Sequence, residues 1–331
     1  MPLLNNTAHG RRWYLRSLIS LIVAASVSCL GVSLVFLHQT IRAPVNQTEQ
    51  LLVVTPGTGA KNLAEQLVSE GFAKSGWSVI AWAILSGTSG TFKAGEYLIP
   101  ENTSPAQILG KVSRGDVHQR KLTIVEGLRF SQLRDRLKKE KALTRTAVQM
   151  PEATLANQLS LSAPSLEGAF FPATYFFRLG DSDTGILKRA ARKMEKELLH
   201  AWDTRAPNLL LKDPYEALIM ASIVEKETSQ KKEKPLVAGV FIRRLAENMK
   251  LQADPTVIYG LGSEFDGNLR RIHLNDKNNT YNTYRNNGLP PTPIALSGRD
   301  SIIAAFNPDS GTAIYFVADG EGGHIFNTSL A

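Results

Sequence analysis

Apolar positions in this chain follow three different periods. From Ser17 to Leu37 runs a stretch of 21 positions without a charged residue, rich in Leu, Ile, Val and Ala. At a rise of about 1.5 Å per residue, such a helix crosses a hydrocarbon core of about 30 Å, so residues 17–37 are predicted as a transmembrane helix. Arg11, Arg12 and Arg16 precede it and the first acidic residue is Glu49. That asymmetry leaves residues 1–16 cytoplasmic and sends the rest across the membrane, with Trp13 and Tyr14 in the interfacial belt. A cleaved signal peptide would have a shorter apolar region ending in small residues, whereas Val32–Leu37 stays largely apolar. Acylation of Cys29 would make a lipoprotein, but Ser26-Val27-Ser28 lacks the usual leucine and the apolar run continues past the cysteine. The reading is an uncleaved, single-pass anchor in the cell inner (cytoplasmic) membrane, with membrane lipid around residues 17–37.

Beyond the anchor, residues 38–50 contain Pro44 and polar residues and read as a linker. A faint repeat follows. Val54-Thr-Pro-Gly57 with Leu63 and Leu67 matches Ile124-Val-Glu-Gly127 with Leu133 and Leu137. Each copy predicts a strand, a glycine turn and a helix whose leucines, four apart, share one face. Lys93–Ile99 reads as a strand, and Ser104 as the N-cap of a helix through Val112. Residues 51–145 are therefore expected to form a small α+β module. It holds no cluster of acid, base and nucleophile, so binding or spacing is its expected role.

Residues 150–331 are expected to form a mixed α+β domain, which makes the whole chain α+β with an N-terminal transmembrane helix. Asp213-Pro214-Tyr215-Glu216 is a helix start, with Asp as N-cap, Pro at the first position and Glu at the third. That helix should reach about Ser229. A second, Pro235–Asn248, carries Leu236, Val237, Val240, Phe241 and Leu245 on one face. Ala313–Asp319 and His324–Leu330 read as a hairpin around Gly320-Glu-Gly-Gly323.

Composition narrows the function classes. The net charge is +8 in 331 residues, with Lys and Arg scattered and no basic stripe interleaved with aromatics, so no nucleic-acid partner is expected. A positive surface suits anionic lipid or an acidic wall polymer. One cysteine excludes an internal disulfide and a cysteine-based metal cluster. The six histidines are isolated, without HExxH spacing, and no nucleophile elbow or phosphate loop occurs. No metal and no cofactor are expected.

The chemistry is expected at Glu225, in Ala221-Ser-Ile-Val-Glu-Lys-Glu-Thr228. The preceding helix residues, Ala217 to Val224, are apolar except Ser222. A carboxyl emerging from such a surface is costly to ionise, and can stay protonated to act as a general acid. Glu225 shares a face with Leu218, Ala221 and Ser222, while Glu227 points elsewhere, so the two cannot form a dyad from the helix surface. The bland alternative, salt bridges to Lys226, Lys231 or Arg243, wins for an arbitrary glutamate. Tyr281-Asn282-Thr283-Tyr284 and Gly288-Leu-Pro-Pro-Thr-Pro-Ile294 suit a sugar-binding groove: tyrosines to stack, Asn282 and Thr283 to hydrogen-bond, prolines to fix the wall. A packed surface loop is the plain alternative. Asp254-Pro-Thr-Val-Ile-Tyr259-Gly260 reads first as an N-capped short helix and second as a source of a catalytic aspartate. His324 is a candidate ligand or proton carrier, although a lone strand histidine is more often a hydrogen-bonded structural residue.

At these positions the chain resembles the endolytic murein transglycosylase family, the MltG or YceG-like proteins. The resemblance rests on Ser222-Ile-Val-Glu-Lys-Glu-Thr228, Asp254-Pro-Thr-Val-Ile-Tyr-Gly260, Tyr281-Asn-Thr-Tyr284 and Gly288-Leu-Pro-Pro291. It continues with Tyr315-Phe-Val-Ala318 and Gly322-Gly-His-Ile-Phe-Asn-Thr328, in family order. The resemblance implies that residues 51–145 are a LysM-like module and 150–331 a catalytic transglycosylase domain. It implies peptidoglycan glycan strands as substrate, cut between N-acetylmuramic acid and N-acetylglucosamine with closure of a 1,6-anhydro ring. By motif position it puts the single acid/base on Glu225, with Glu227, Asp254, Tyr259, Tyr281, Asn282, Thr283, Tyr284 and His324 as binding residues. A hydrolytic muramidase with Asp254 or Glu167 as partner is the enzymatic rival. A non-catalytic scaffold, with peptidoglycan-synthesis enzymes as partners, is the rival from another class.

Overall fold

The computed structural model describes residues 7–329, with side chains described from residue 13. Residues 1–6 of the expected cytoplasmic segment and Leu330 of the expected hairpin lie outside the described residues, as do the side chains of Arg11 and Arg12. The chain forms two compact units, divided between Gln119 and Arg120.

The first unit opens with α1, Thr7–Arg42, a helix of 36 residues. From Trp13 to Arg42 it is long and apolar enough to cross a membrane. Its apolar side chains from Leu18 to Phe36 are exposed on every side, and only Leu37 and Ile41 enter the unit's core. The helix thus runs five residues into the expected linker. The rest of that linker is pinned: buried Asn46 donates to the Pro100 carbonyl (2.5 Å) and accepts from the Thr103 amide (3.0 Å).

Then come β1 (Gln50–Val54), α2 (Ala60–Ser69), α3 (Gly76–Leu85), β2 (Gly95–Ile99) and α4 (Pro105–Arg114). β1 and β2 pair antiparallel, Leu52 opposite Tyr97. Ser104 and Gln107 close a capping box on α4, satisfying two amides at its start. Leu52, Leu63, Leu67, Tyr97, Ile99 and Ile108 are fully buried together.

The second unit contains β3 (Arg120–Thr123), α5 (Phe130–Lys139), α6 (Glu152–Leu159), β4 (Thr174–Phe177), α7 (Asp183–Asp203) and α8 (Pro214–Glu227). It continues with α9 (Lys234–Ala246), α10 (Asp254–Leu261), α11 (Arg271–Asn275), α12 (Arg299–Phe306), β5 (Tyr315–Ala318) and β6 (His324–Asn327). β3 pairs antiparallel with β4, and β5 with β6. One core gathers around Leu133, Leu137, Phe170 and Ile186. The other surrounds α8, in which every residue from Ala217 to Val224 is buried. A helix apolar on all faces must be enclosed, and α7, α9, α10 and α12 pack around it.

Both copies of the repeat have the local form expected: Gly57 (φ 81°) and Gly127 (φ 74°) turn between strand and helix, and Leu63, Leu67, Leu133 and Leu137 are fully buried. They lie in different units, however. β1 finds its partner β2 in the first unit, while β3 pairs with β4 far along the chain, so the division falls at 119/120 and not after residue 145.

Asp183, the first residue of α7, is fully buried and accepts the amides of Thr146, Ala147 and Val148 at 2.9, 2.9 and 3.1 Å. Burial alone would push its carboxyl up, but these bonds outweigh it and hold the carboxyl below its ordinary value. Its stabilisation is therefore present at neutral pH and is lost as pH falls below the ordinary aspartate value and through the lowered folded one. Asp183→Asn should cost about 1.5–3 kcal/mol at pH 7 and flatten the acid limb of stability against pH, measured by urea unfolding.

Candidate active site

α8 is started by Asp213, whose carboxylate accepts the amides of Tyr215 (2.9 Å) and Glu216 (2.8 Å). It ends at Glu227, two residues short of the expected Ser229. Ser222, the one polar residue of its buried run, donates to Ile219 O (2.7 Å) and accepts Ile294 N (2.9 Å). That bond fastens the end of the proline segment 288–294 to the helix.

Glu225 does not sit in an apolar pocket. Its Oε2 accepts Lys234 Nζ at 3.1 Å, Gly298 N at 3.0 Å and Ser301 Oγ at 2.5 Å. The two charged side chains are 8% and 4% exposed, a buried ion pair joining α8, α9 and the start of α12. The reason given above for a protonated Glu225, apolar neighbours alone, is therefore corrected: its charge is met by a cation that none of the expected salt bridges named. Lys231 instead pairs with Asp300 at 2.8 Å. Glu126 approaches the same cluster. Burial and then the Glu225 charge raise its carboxyl, with Lys234 opposing. A β-carbon on Gly298 would overlap the Glu126 carboxylate as placed, so a larger residue there would push that side chain away from the cluster.

Glu227 projects to another side. It is half-buried, and among the described residues its carboxyl has no hydrogen-bond or ion-pair partner. Burial first, then the charge of Asp254, push it up to about 8, against the pull of Arg244. Asp254 is the first residue of α10 and not its N-cap, which is Ala253. Its Oδ1 accepts the Tyr284 hydroxyl at 2.6 Å. Arg244 is buried and donates to Ile314 O (2.7 Å) and Leu251 O (2.6 Å). Arg244 and Tyr284 line a cavity of about 410 Å³ with Gln252, Tyr315 and Phe316. Lys226, beside Glu227, and Pro255, beside Asp254, line a second cavity of about 720 Å³ with Arg129, Ile258, Tyr259 and Ile294.

The aromatic residues divide. Tyr259 and Tyr281 pack with centroids 4.8 Å apart, and the Arg129 guanidinium lies 5.0 Å from the Tyr259 ring. The Tyr259 hydroxyl donates to Glu167 (3.2 Å), and the Tyr281 hydroxyl pairs with Thr292 (2.9 Å). Glu167 is buried, accepts Phe130 N at 3.0 and 3.1 Å, and is raised to about 7 by burial against those bonds. It caps α5 and so serves the fold.

Asn282 and Thr283, expected to hydrogen-bond sugar, are fully buried. Asn282 Nδ2 donates to the carbonyls of His273, Leu274 and Asp276, and Thr283 Oγ1 accepts Ala253 N (3.0 Å). They set the loop that delivers Asp254 and Tyr284. His324 has the structural role: Nδ1 lies 2.8 Å from Glu233 Oε2, which also accepts Thr228 Oγ1 at 2.8 Å. That relay ties the β5–β6 hairpin to the end of α8. Lys234, Ser301, Gly298, Arg244 and Glu126 were not singled out in the sequence, where nothing local sets them apart from other surface-type residues. No group of His, Cys, Asp and Glu suited to a metal occurs among the described residues.

A sequence model of the YceG-like family matches residues 52–331, and the chain belongs to that family. An endolytic murein transglycosylase of Bacillus subtilis (strain 168) is 29% identical over 296 residues, covering 84% of this chain and 81% of that protein. One from Streptococcus pneumoniae serotype 2 is 25% identical over 352 residues; the match covers 96% of this chain but 63% of the longer relative. A crystal structure of the yceG-like protein lmo1499 from Listeria monocytogenes superposes with a TM-score of 0.54 at 26% identity, over 85% of this chain and 96% of that one.

The buried pair makes a test of its own. Lys234→Met alone leaves the Glu225 carboxylate without its cation and should destabilise the fold by about 3–5 kcal/mol. Lys234→Met with Glu225→Gln should recover most of that loss in urea unfolding, because no buried charge is stranded.

Proposed function

We propose that this protein is a membrane-anchored lytic transglycosylase that cuts peptidoglycan glycan strands, with Glu225, on the last turn of α8, as the acid/base. The observation that carries the reading is the motif Ser222-Ile-Val-Glu225-Lys-Glu-Thr228 on the last turn of the buried helix α8, in a chain of the YceG-like family. The names of the relatives supply the substrate class. Glu225 holds the motif position of the acid and is the carboxyl on which Lys234, Gly298 and Ser301 converge, and Glu227, raised to about 8 by burial and the Asp254 charge, is the second candidate on the same turn.

Glu225 gives its proton to the oxygen joining N-acetylmuramic acid to N-acetylglucosamine. The bond from the muramyl C1 to that oxygen breaks and the N-acetylglucosamine end leaves with the proton. Glu225, now a carboxylate, takes the proton of the muramyl 6-hydroxyl, whose oxygen closes on C1 to form the 1,6-anhydro ring. No water is consumed, so the paired carboxylates of ordinary glycosidases are not required. The nearby Asp254 charge opposes ionisation of Glu227, and the Tyr284 hydroxyl holds Asp254 in place. The names of the relatives support cleavage within strands. We further propose α1 as a single-pass anchor in the inner membrane, with residues 1–16 cytoplasmic. The first unit then serves as a LysM-like module that holds glycan.

Glu225→Gln should lose anhydro-muropeptide release by about 10²–10⁴-fold and Glu227→Gln less, with urea unfolding of each variant separating lost chemistry from lost fold. The reverse order would move the acid to Glu227. An acid at Glu227 would instead make kcat/KM fall as pH rises through about 8, a second readout that separates the two carboxyls. Mass spectrometry of the products separates the rivals: a muramidase adds one water, and a scaffold gives wall binding without product.

A further inference from the structure

α3 is ten residues, Gly76-Trp-Ser-Val-Ile-Ala-Trp-Ala-Ile-Leu85, without a charge. Its inner face, Val79 and Ala83, is buried in the core of the first unit. Its outer face is apolar too: Trp77, Ile84 and Leu85 are 56%, 64% and 63% exposed. With Ala81 they follow the i, i+4, i+7, i+8 spacing of one helix face. An exposed, contiguous apolar face of this kind marks a surface with a partner.

The place of α3 indicates which partner. It packs beside the last turns of α1: Trp82 meets His38 edge-on at 6.3 Å, and the Arg42 guanidinium lies 6.0 Å from its ring. Those residues lie just past Leu37, where the uncharged span ends. Five further residues of helix add about 7–8 Å. The headgroup layer outside a hydrocarbon core is about 5–7 Å deep, and interfacial helices sink about 5–10 Å into that boundary. From this geometry we infer that α3 lies in the outer membrane–water interface, its Trp77–Ile84–Leu85 face against lipid, so that the first unit is seated on the bilayer. The occupant is the lipid surface into which α1 runs. Exposed Lys74, just before α3, adds a charge suited to anionic headgroups. The inference rests on the reading of α1 as a membrane span.

The test uses the full chain in vesicles of phosphatidylethanolamine and phosphatidylglycerol, plain or brominated on the upper acyl chain. One variant keeps only Trp77 (Trp13→Phe, Trp82→Phe, Trp202→Phe) and another keeps only Trp13. Bromolipid should quench Trp77 emission by about twofold or more, as it should for Trp13. Quenching of Trp13 without Trp77 overturns the seating of α3 and leaves the anchor standing. If Trp77 is then also shielded from acrylamide, a second copy of the chain covers the face. Quenching of neither overturns the anchor as well. A second probe retains all four tryptophans: a nitroxide on Leu85→Cys in a Cys29→Ala background. Greater accessibility to oxygen than to a nickel chelate supports a lipid contact, and the opposite ratio overturns it.

Discussion

The ion pair between Glu225 and Lys234 has been taken out of water at the last turn of α8, where a carboxylate and an ammonium each cost several kcal/mol to desolvate. It is tolerable because one oxygen also receives the Gly298 amide and the Ser301 hydroxyl, so little of the charge is left unanswered. The consequence is positional. α9 and the start of α12 are tied to one atom of α8, and the turn that ends in Glu227 cannot shift without stranding a buried charge. Ser222 extends the same restraint to Ile294, and Thr228 through Glu233 extends it to His324 and the hairpin.

That restraint divides two glutamates of similar local sequence into different tasks. Positions 225 and 227 are about 200° apart around a helix, so they look into different surroundings. On one side a cation and two further donors converge. On the other, burial and the like charge of Asp254 raise the carboxyl to about 8. Environment rather than residue type separates such roles. The stretch Glu225-Lys-Glu227 thus carries one carboxyl tied into a buried ion pair and one without a hydrogen-bond or ion-pair partner among the described residues.

Local features were legible because their causes are local. Asp213-Pro214 starts α8, Ser104 and Gln107 cap α4, and leucines four apart find the core in both copies of the repeat. What stayed hidden depends on partners distant in the chain. Lys234 stands among Lys226, Lys231 and Lys232 with no signal of which will be buried. Asn282 and Thr283 looked like groove residues because they are polar beside tyrosines. Their polarity instead satisfies buried backbone groups of the loop, the usual fate of enclosed amides and hydroxyls. The unit boundary was misjudged for a similar reason: a strand does not announce its partner.

The repeat shows how the same local form acquires different work. At Gly57 the turn closes on itself, with the Thr58 hydroxyl donating to Thr55 O at 2.8 Å, and adds nothing beyond its own strand and helix. At Gly127 the turn is stitched outward. Its amide donates to Leu296 O (2.8 Å), and Leu128 O accepts Leu296 N (2.7 Å). Its carbonyl accepts Lys226 Nζ at 3.3 Å. Those bonds set residues 296–298 where the Gly298 amide reaches Glu225, and they place Gly127 in the wall of the larger cavity. A strand–glycine–helix element therefore becomes part of a site through the groups its turn bonds, not through its own shape, and Glu126 joins the charge cluster because this turn is held against α8.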